Sequence, residues 1–347
     1  MSKQSIFPVT CGPCWTPAAF FEWDADRLRC TLCPHGCLPA DGQEGICRVR
    51  RRRGTQMETS TFAVAVAHVT PIERKPLYHF RPGSSTLTLA APGCTFGCRY
   101  CQNHRLSQFG RGSDLPWTAT LAEPDRIIEQ AVHYQAAIAF SYSEPVLAAE
   151  LTLALAPRAQ ARGVSLVWKT NGFITPAALR LIAPCLTAVN LDLKAADDRR
   201  HRALTGAPLA PVLAALDILA GLGVWIEIST PLIAGFNDDD ASLAQIAGII
   251  RRLGRHIPWH LVRVVPEFRL RDLVPTPPAT LQRAYDIGRG AGLNFLYVER
   301  ALGPAARHTY CPSCGHPVIR RAVWGLQQMD LVTGCCPQCG TAIPGRW

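Results

Sequence analysis

The chain reads as an α/β protein: a parallel sheet covered by outer helices, curled into a barrel or partial barrel, with small cysteine-rich modules at both ends. Two observations predict this. Short apolar runs alternate with longer helical stretches from about residue 84 to residue 300, the signature of repeated strand–helix units. Fifteen cysteines fall mostly in Cys-x2-Cys or similar pairs, gathered before, at the start of and after that alternating region.

Residues 1–54 are rich in cysteine, proline and glycine and lack long periodic segments, so they read as a metal-stapled module. Residues 55–83 connect it to the barrel and include a loosely alternating strand at Thr59 to His68. Residues 84–300 then give strands at Thr86 to Ala91, Ile138 to Ser143, Ser165 to Thr170, Ala188 to Leu193, Trp225 to Pro231 and His260 to Val265, with Asn294 to Glu299 as a further candidate. Helical stretches lie between them at Glu123 to Gln135, Val146 to Arg162, Pro176 to Ile182, Pro211 to Leu222, Ala241 to Leu253 and Pro277 to Gly290. Residues 301–347 form the second small module. No tandem repeat or low-complexity tract interrupts this order.

With 347 residues and 48% hydrophobic content, the chain is long enough for one large domain with appendages. Its start carries no charged segment leading into an apolar core, and no apolar run approaches bilayer length, so a cytoplasmic protein without membrane attachment is expected. In a reducing compartment the paired cysteines read as metal ligands rather than disulfides. The net charge of +10 and the run Arg48-Val-Arg-Arg-Arg-Arg53 raise nucleic-acid binding as a rival function. Two features weigh against it: arginine greatly outnumbers lysine throughout, and the run lacks interleaved aromatics to stack on bases. A solvated basic edge, or one that meets an acidic electron carrier, fits better.

The most informative segment is Gly93-Cys-Thr-Phe-Gly-Cys-Arg-Tyr-Cys-Gln-Asn103, directly after the first barrel strand. Cys94, Cys98 and Cys101 can hold three irons of a four-iron four-sulfur cube and leave the fourth open to an amino and carboxylate chelate. Gly93 and Gly97 offer backbone freedom where a loop must curl around sulfur. A zinc site completed by His104 has compatible spacing, and buried unligated thiols are a further alternative.

Cys-x3-Cys-x2-Cys with an aromatic residue before the third cysteine resembles the radical S-adenosylmethionine (SAM) superfamily. The stretches Pro71-Ile-Glu-Arg-Lys-Pro-Leu-Tyr-His-Phe80, Tyr100-Cys-Gln-Asn103 and Leu106-Ser-Gln108 resemble its AmmeMemoRadiSam-system branch, related in its core to glycyl-radical-enzyme activases such as the pyruvate formate-lyase activating enzyme. The resemblance implies an open partial (β/α)6 TIM-like barrel. It also implies reductive cleavage of SAM to a 5'-deoxyadenosyl radical that abstracts hydrogen from a substrate, with the cofactor carrying the hard chemistry. A low-potential ferredoxin or flavodoxin donor and Memo-type and AMMECR-type pathway partners belong to the same expectation.

Parallel barrels place chemistry at the carboxyl ends of their strands, which singles out polar residues there. Glu144 in Tyr142-Ser-Glu-Pro145 matches the acidic residue that the family uses for the SAM amino group, although Ser143 stands where the family usually has Asn. Asn171 in Lys169-Thr-Asn-Gly172 offers donor and acceptor to a ribose or carboxylate. Asp192 and Lys194 in Asn190-Leu-Asp-Leu-Lys194 alternate onto one strand face, in a segment that resembles the activases' SAM-contacting stretch. Tyr100 is a candidate cover for the adenine. Activases often carry a histidine after the sixth strand, whereas this chain reads Val264-Val-Pro-Glu-Phe268. His260 sits at the other end of that strand and reads as structural.

Cys311-Pro-Ser-Cys314-Gly and Cys336-Pro-Gln-Cys339-Gly form two knuckles with the spacing of a zinc ribbon, and a rubredoxin-like iron site would use the same ligands. Cys335 is an extra thiol that an alternate register would make a ligand. Cys30, Cys33, Cys37 and Cys47 make another four-thiolate set, read here as structural zinc with an auxiliary iron–sulfur cluster as the alternative. Cys11-Gly-Pro-Cys14 has the letters of a thioredoxin pair without its strand and helix. No Walker loop, dinucleotide fingerprint, nucleophile elbow or His-Glu-x-x-His helix appears. The leading expectation is therefore a radical SAM enzyme of unidentified substrate. A glycyl-radical activase and a noncatalytic zinc-ribbon nucleic-acid binder stand as alternatives.

Overall fold

A computed structural model describes residues 10–11, 14–64, 66–111 and 118–347. Gly12 and Pro13, at the heart of the Cys11/Cys14 pair, lie outside them. The centre is an eight-stranded sheet of β1 (Val66–Pro71), β2 (Ser85–Ala90), β3 (Ala136–Phe140), β4 (Leu166–Thr170), β5 (Ala188–Asp192), β6 (Trp225–Leu232), β7 (Trp259–Arg263) and β8 (Leu296–Val298), paired in that order. β2 to β8 run parallel, whereas β1 joins β2 antiparallel. The order is linear, and among the described residues no ladder joins β1 to β8, so the barrel stays open. The sheet thus has seven parallel strands, the six expected units and, as β8, the further candidate at Asn294 to Glu299. The expected strand at Thr59 to His68 is split between Gln56–Thr59, Ala63–Val64 and β1.

Helices α1 (Pro124–His133), α2 (Ala149–Ala161), α3 (Pro176–Ile182), α4 (Ala210–Gly221), α5 (Asp240–Leu253) and α6 (Pro278–Gly290) follow successive strands. In α5 the Asp239 carboxylate accepts from the Ser242 N–H at 3.0 Å and starts the helix, while Leu243, Ile246, Ala247 and Ile250 form its buried stripe. Each such buried leucine or isoleucine contributes about 1.5–3 kcal/mol. Every residue of β6 is buried, as expected of a strand covered on both faces.

The segment 72–80 folds back across the base of the barrel. Its Tyr78 and His79 N–H groups donate to the Glu227 carboxylate on β6 at 2.9 and 2.7 Å, and the Pro76 carbonyl accepts from Asn190 Nδ2 at 2.6 Å. His260 Nε2 on β7 also meets Glu227, at 2.7 Å. His79 links outward: Nδ1 donates to the Pro344 carbonyl at 2.7 Å, and Nε2 lies 2.6 Å from the Tyr297 hydroxyl. The C-terminal module, a three-stranded antiparallel sheet of Thr309–Tyr310, Pro317–Arg321 and Leu326–Met329, is thereby fastened to the base.

At the other end of the sequence, the hairpin Arg50–Arg53/Gln56–Thr59 carries the arginine run. The run is not a wholly solvated edge. Arg50 is 1% exposed and pairs with Glu150 on α2 at 2.7 Å, and Arg51 pairs with Glu58 while its guanidinium stacks 4.2 Å from the Trp15 ring centroid. Among the described residues no single helix is long and apolar enough to cross a membrane.

Burial holds the His79 imidazole down at about 4, below its ordinary 6.5, so the native state resists its protonation. Between those values the unfolded chain binds the proton and the folded chain does not. Stability therefore falls as pH drops through that window, by up to about 1.4 kcal/mol per pH unit for this one group. Urea unfolding at several pH values is expected to give a shallower acid slope for His79→Gln than for wild type. Equal slopes would exclude His79 as a source.

Candidate active site

The carboxyl ends of the parallel strands converge on one cavity of about 300 Å³. Cys94, Cys98, Tyr100, Cys101, Glu144, Asn171, Asp192 and Lys194 all line it, bringing together the residues singled out after β2, β3, β4 and β5. Val262 and Val264 also line it.

The cysteine loop is held by backbone contacts. Gly93 has φ +83°, a left-handed conformation, and a Cβ there would sit 2.7 Å from the Cys47 carbonyl oxygen. The Phe96 N–H points to Cys94 Sγ at 3.3 Å, and Cys101 Sγ lies 3.1 Å from the Ser107 hydroxyl. Arg111 clamps the loop from outside through Nη1 to the Phe96 carbonyl and Nη2 to the Cys94 carbonyl, both at 2.7 Å, and Nη2 also reaches the Ile46 carbonyl at 2.8 Å. Burial pushes the Cys98 thiol up to about 12 and Cys94 up as well, so ionising these two calls for a bound cation.

His104 does not complete a metal shell with these thiols. Its Nδ1 lies 3.2 Å from the Cys101 carbonyl oxygen, and its ring stacks on Phe268 at 4.8 Å. Among the described residues only Cys311, Cys314, Cys336 and Cys339 gather within 4.8 Å of one another as a single ion requires. The Cys94 trio is wider, as suits thiolates that each cap a separate iron.

Glu144 and Asp192 are two buried carboxyls in opposite environments. The Glu144 carboxyl accepts from the Val146 N–H at 3.1 Å, the Asn171 N–H at 2.9 Å and the Thr170 hydroxyl, yet burial still raises it to about 7. Burial would raise Asp192 too, but Lys169 and Lys194 outweigh it and hold the carboxyl at about 2. Lys194 Nζ binds Asp192 Oδ2 at 2.8 Å, while Lys169 bonds both Asp192 and the Asn190 side chain. Asn171 Nδ2 donates to Thr95 Oγ1 at 2.9 Å, tying the end of β4 to the cysteine loop. Tyr142, between β3 and Glu144, is a non-glycine residue at φ +72°, a strained conformation of the kind found beside ligand sites.

Sequence reasoning missed Lys169, Arg74, Arg111 and Arg263. Lys169 precedes Asn171 by two residues, so strand alternation alone places it beside Asn171. Arg74 reaches the cavity with the base segment and Arg263 ends β7. Arg111 lies ten residues beyond the last cysteine, with no periodic signal.

In the C-terminal module Cys311 Sγ lies 3.5 Å from Cys339 Sγ, and Cys314 Sγ lies 3.7 Å from Cys336 Sγ. The two knuckles match: Gly315 donates to the Cys311 carbonyl at 3.0 Å and Gly340 to the Cys336 carbonyl at 2.9 Å, each glycine in left-handed backbone. Cys335 stays outside the four-thiol set and points toward the Thr333 carbonyl, so no alternate register is built.

An enzyme built on a parallel α/β sheet, with a three-cysteine loop at the mouth of its cavity, is the class this geometry defines. The Radical SAM superfamily model matches residues 89–246. An uncharacterized protein of Methanocaldococcus jannaschii is 32% identical over 332 residues, covering 94% of this chain and 98% of that protein. The isethionate sulfite-lyase activating enzyme of Nitratidesulfovibrio vulgaris is 32% identical over 150 residues, 41% of this chain and 49% of that enzyme, about half its length. The pyruvate formate-lyase 1-activating enzyme of Escherichia coli is 24% identical over 222 residues, 59% of this chain and 89% of that enzyme. The chain belongs to the radical SAM superfamily and is related to the glycyl-radical-enzyme activases.

The two glycines of the loop are not equivalent. Gly97 has no positive φ, and a Cβ there would meet nothing closer than 3.8 Å, so the freedom expected of it is not used. Gly93→Ala is expected to cost about 1–2 kcal/mol in backbone strain alone, plus the displacement of Cys47, and to lower iron uptake. Gly97→Ala should match wild type in urea midpoint and in iron content after anaerobic reconstitution. Equal behaviour of the two variants would show that the close approach at Gly93 is not required.

Proposed function

We propose that the protein uses a four-iron four-sulfur cluster, held by Cys94, Cys98 and Cys101, to cleave SAM reductively and start hydrogen abstraction from a substrate. One observation carries the reading: eight residues chosen for this chemistry, from four strand ends, line a single cavity. When bound, the cluster would pass one electron from an external low-potential donor to the sulfonium, whose carbon–sulfur bond would break to release methionine and a 5'-deoxyadenosyl radical that takes a hydrogen atom from the substrate. The protein's part is positioning and exclusion of water.

Glu144, its orientation fixed by the Val146 and Asn171 N–H groups, is proposed to accept the SAM ammonium. Lys194 offers a cation for the SAM carboxylate, Asp192 keeps that ammonium in place, and Asn171 faces the ribose or carboxylate. Tyr100, 7% exposed, walls the cavity beside Lys194 and is proposed to cover the adenine. A low-potential ferredoxin or flavodoxin in a reducing compartment is the proposed donor. The C-terminal knuckles are proposed to hold structural zinc, whose tetrahedral shell at about 2.3 Å places sulfurs about 3.8 Å apart. A second reading makes the hydrogen donor a glycine of a partner protein; similarity to two activating enzymes favours it over an arbitrary small molecule.

Anaerobic protein reconstituted with iron and sulfide, then given a low-potential reductant and SAM, is expected to form 5'-deoxyadenosine, and Cys98→Ala to form none. Equal product from both would remove the proposed site. Deuterated candidate substrates would then identify the hydrogen donor by label transfer into 5'-deoxyadenosine.

The Glu144 carboxyl, held near 7 by burial, must be ionised to bind an ammonium. SAM affinity is therefore expected to weaken below about pH 7 by up to tenfold per unit, while Glu144→Gln shows weaker binding, about 10–100-fold, with a flat profile. Anaerobic equilibrium dialysis across pH 5.5–8.5 checks this, and a sloping profile in the variant would assign the titration elsewhere.

A further inference from the structure

The charges on the wall of the active-site cavity do not balance. The cations Arg74, Lys169, Lys194 and Arg263 line it against the carboxyls Glu144 and Asp192. Both lysines are taken up by Asp192, and Glu144 accepts from backbone and hydroxyl donors. Among the described residues neither arginine meets a carboxylate, and the Arg74 guanidinium makes no hydrogen bond. Arg263 donates through Nε to the Thr276 carbonyl at 3.0 Å, which leaves both of its terminal nitrogens unused.

The two arginines also lie on the side that the SAM candidates leave open. Those candidates follow β2, β3 and β4 or lie at the end of β5, whereas Arg74 sits on the base segment and Arg263 ends β7. Both arginines are exposed as well as lining the cavity, so they stand at its opening, and Pro231, Val262 and Val264 add apolar lining. Arg74 is steadied from outside. Its guanidinium lies over the Trp324 ring, 4.9 Å from the centroid, and Trp324 Nε1 donates to Glu299 Oε1 at 2.5 Å. The C-terminal module thus orients a cation at the cavity wall.

A guanidinium offers paired N–H donors whose fork fits a carboxylate or a phosphate, and one left without a carboxylate at a cavity opening favours an anion. We infer that the substrate is a small organic anion whose carboxylate or phosphate is held by Arg74 and Arg263, with its carbon skeleton against Pro231, Val262 and Val264. That this anion is the substrate rests on the SAM-cleavage reading, whereas the anion site stands without it. Binding a charged group remote from the reacting carbon is a way to hold a C–H bond in position for abstraction.

The full chain, reconstituted anaerobically, is dialysed to equilibrium against radiolabelled inorganic phosphate and, separately, malonate, in buffer free of other polyvalent anions. Wild type is expected to bind at a single site, and Arg74→Gln and Arg263→Gln each to weaken that binding by about 10–100-fold. The tighter probe names the group: phosphate a phosphoryl ester, malonate a carboxylic acid. No binding of either probe to wild type, or unchanged binding by the variant carrying both substitutions, would overturn the inference. Should that variant fail to fold, phenylglyoxal modification of wild type with peptide mass mapping decides instead. A saturating probe is expected to slow modification of Arg74 and Arg263 by about tenfold or more while leaving the exposed Arg105 and Arg271 unprotected, and equal rates at all four would overturn it. Failure of the SAM-cleavage reading looks different: wild type then forms no 5'-deoxyadenosine, whatever the dialysis shows.

Discussion

The fully buried carboxylate of Glu227 is the point on which the architecture turns. Burial alone would raise its proton affinity, but His260, the backbone N–H groups of Tyr78 and His79, and Trp225 Nε1 at 3.1 Å all direct hydrogens to it, and the group is held below its ordinary range. A buried charge is tolerated only when its lone pairs are filled in this way. Filling them requires the segment 72–80 to cross the base of the barrel. That segment then carries His79 to Tyr297 and Pro344, so one carboxylate joins β6, β7, the base segment and the C-terminal module.

Closing the base leaves chemistry to the other end, and the same logic of compensated burial sorts the charges there. Asp192 lies between two ammonium groups and stays ionised; Glu144, with backbone and hydroxyl donors but no hydrogen-bonded cation, sits near neutrality. Two carboxyls pushed apart by their surroundings give the cavity one carboxylate paired with two ammonium groups and one carboxyl without a hydrogen-bonded cation. Together they present a cation at Lys194 and an acceptor at Glu144, one group of each sign on the same cavity wall.

The parallel region and the cavity were legible because both follow from short-range rules. Apolar runs of strand length gave most of the strands, and polar residues at or just past strand ends, read together with the family resemblance, gave Glu144, Asn171, Asp192 and Lys194. What escaped depends on contacts distant in sequence. Arg111 acts on carbonyls of Cys94 and Ile46, and Arg50 lies beneath Glu150, 100 residues away. The strand expected at Thr59 to His68 failed for a similar reason: its first residue belongs to the hairpin with Arg50–Arg53, while its end belongs to β1.

Cysteine letters record ligand number but not ligand separation, and the three sets here differ in what holds them apart. In the C-terminal module two like knuckles, each turned by a glycine, face one another across a small sheet and bring four sulfurs together. The other two sets sit on loops in contact with each other, the Gly93 backbone against the Cys47 carbonyl and the His35 ring against the Thr95 carbonyl. A substitution that moves one of these loops must move the other, so their geometry is fixed jointly. The N-terminal module is therefore part of the wall behind the Cys94 loop rather than a detachable appendage, with Arg111 bridging both loops and Arg50–Glu150 fastening the module to α2.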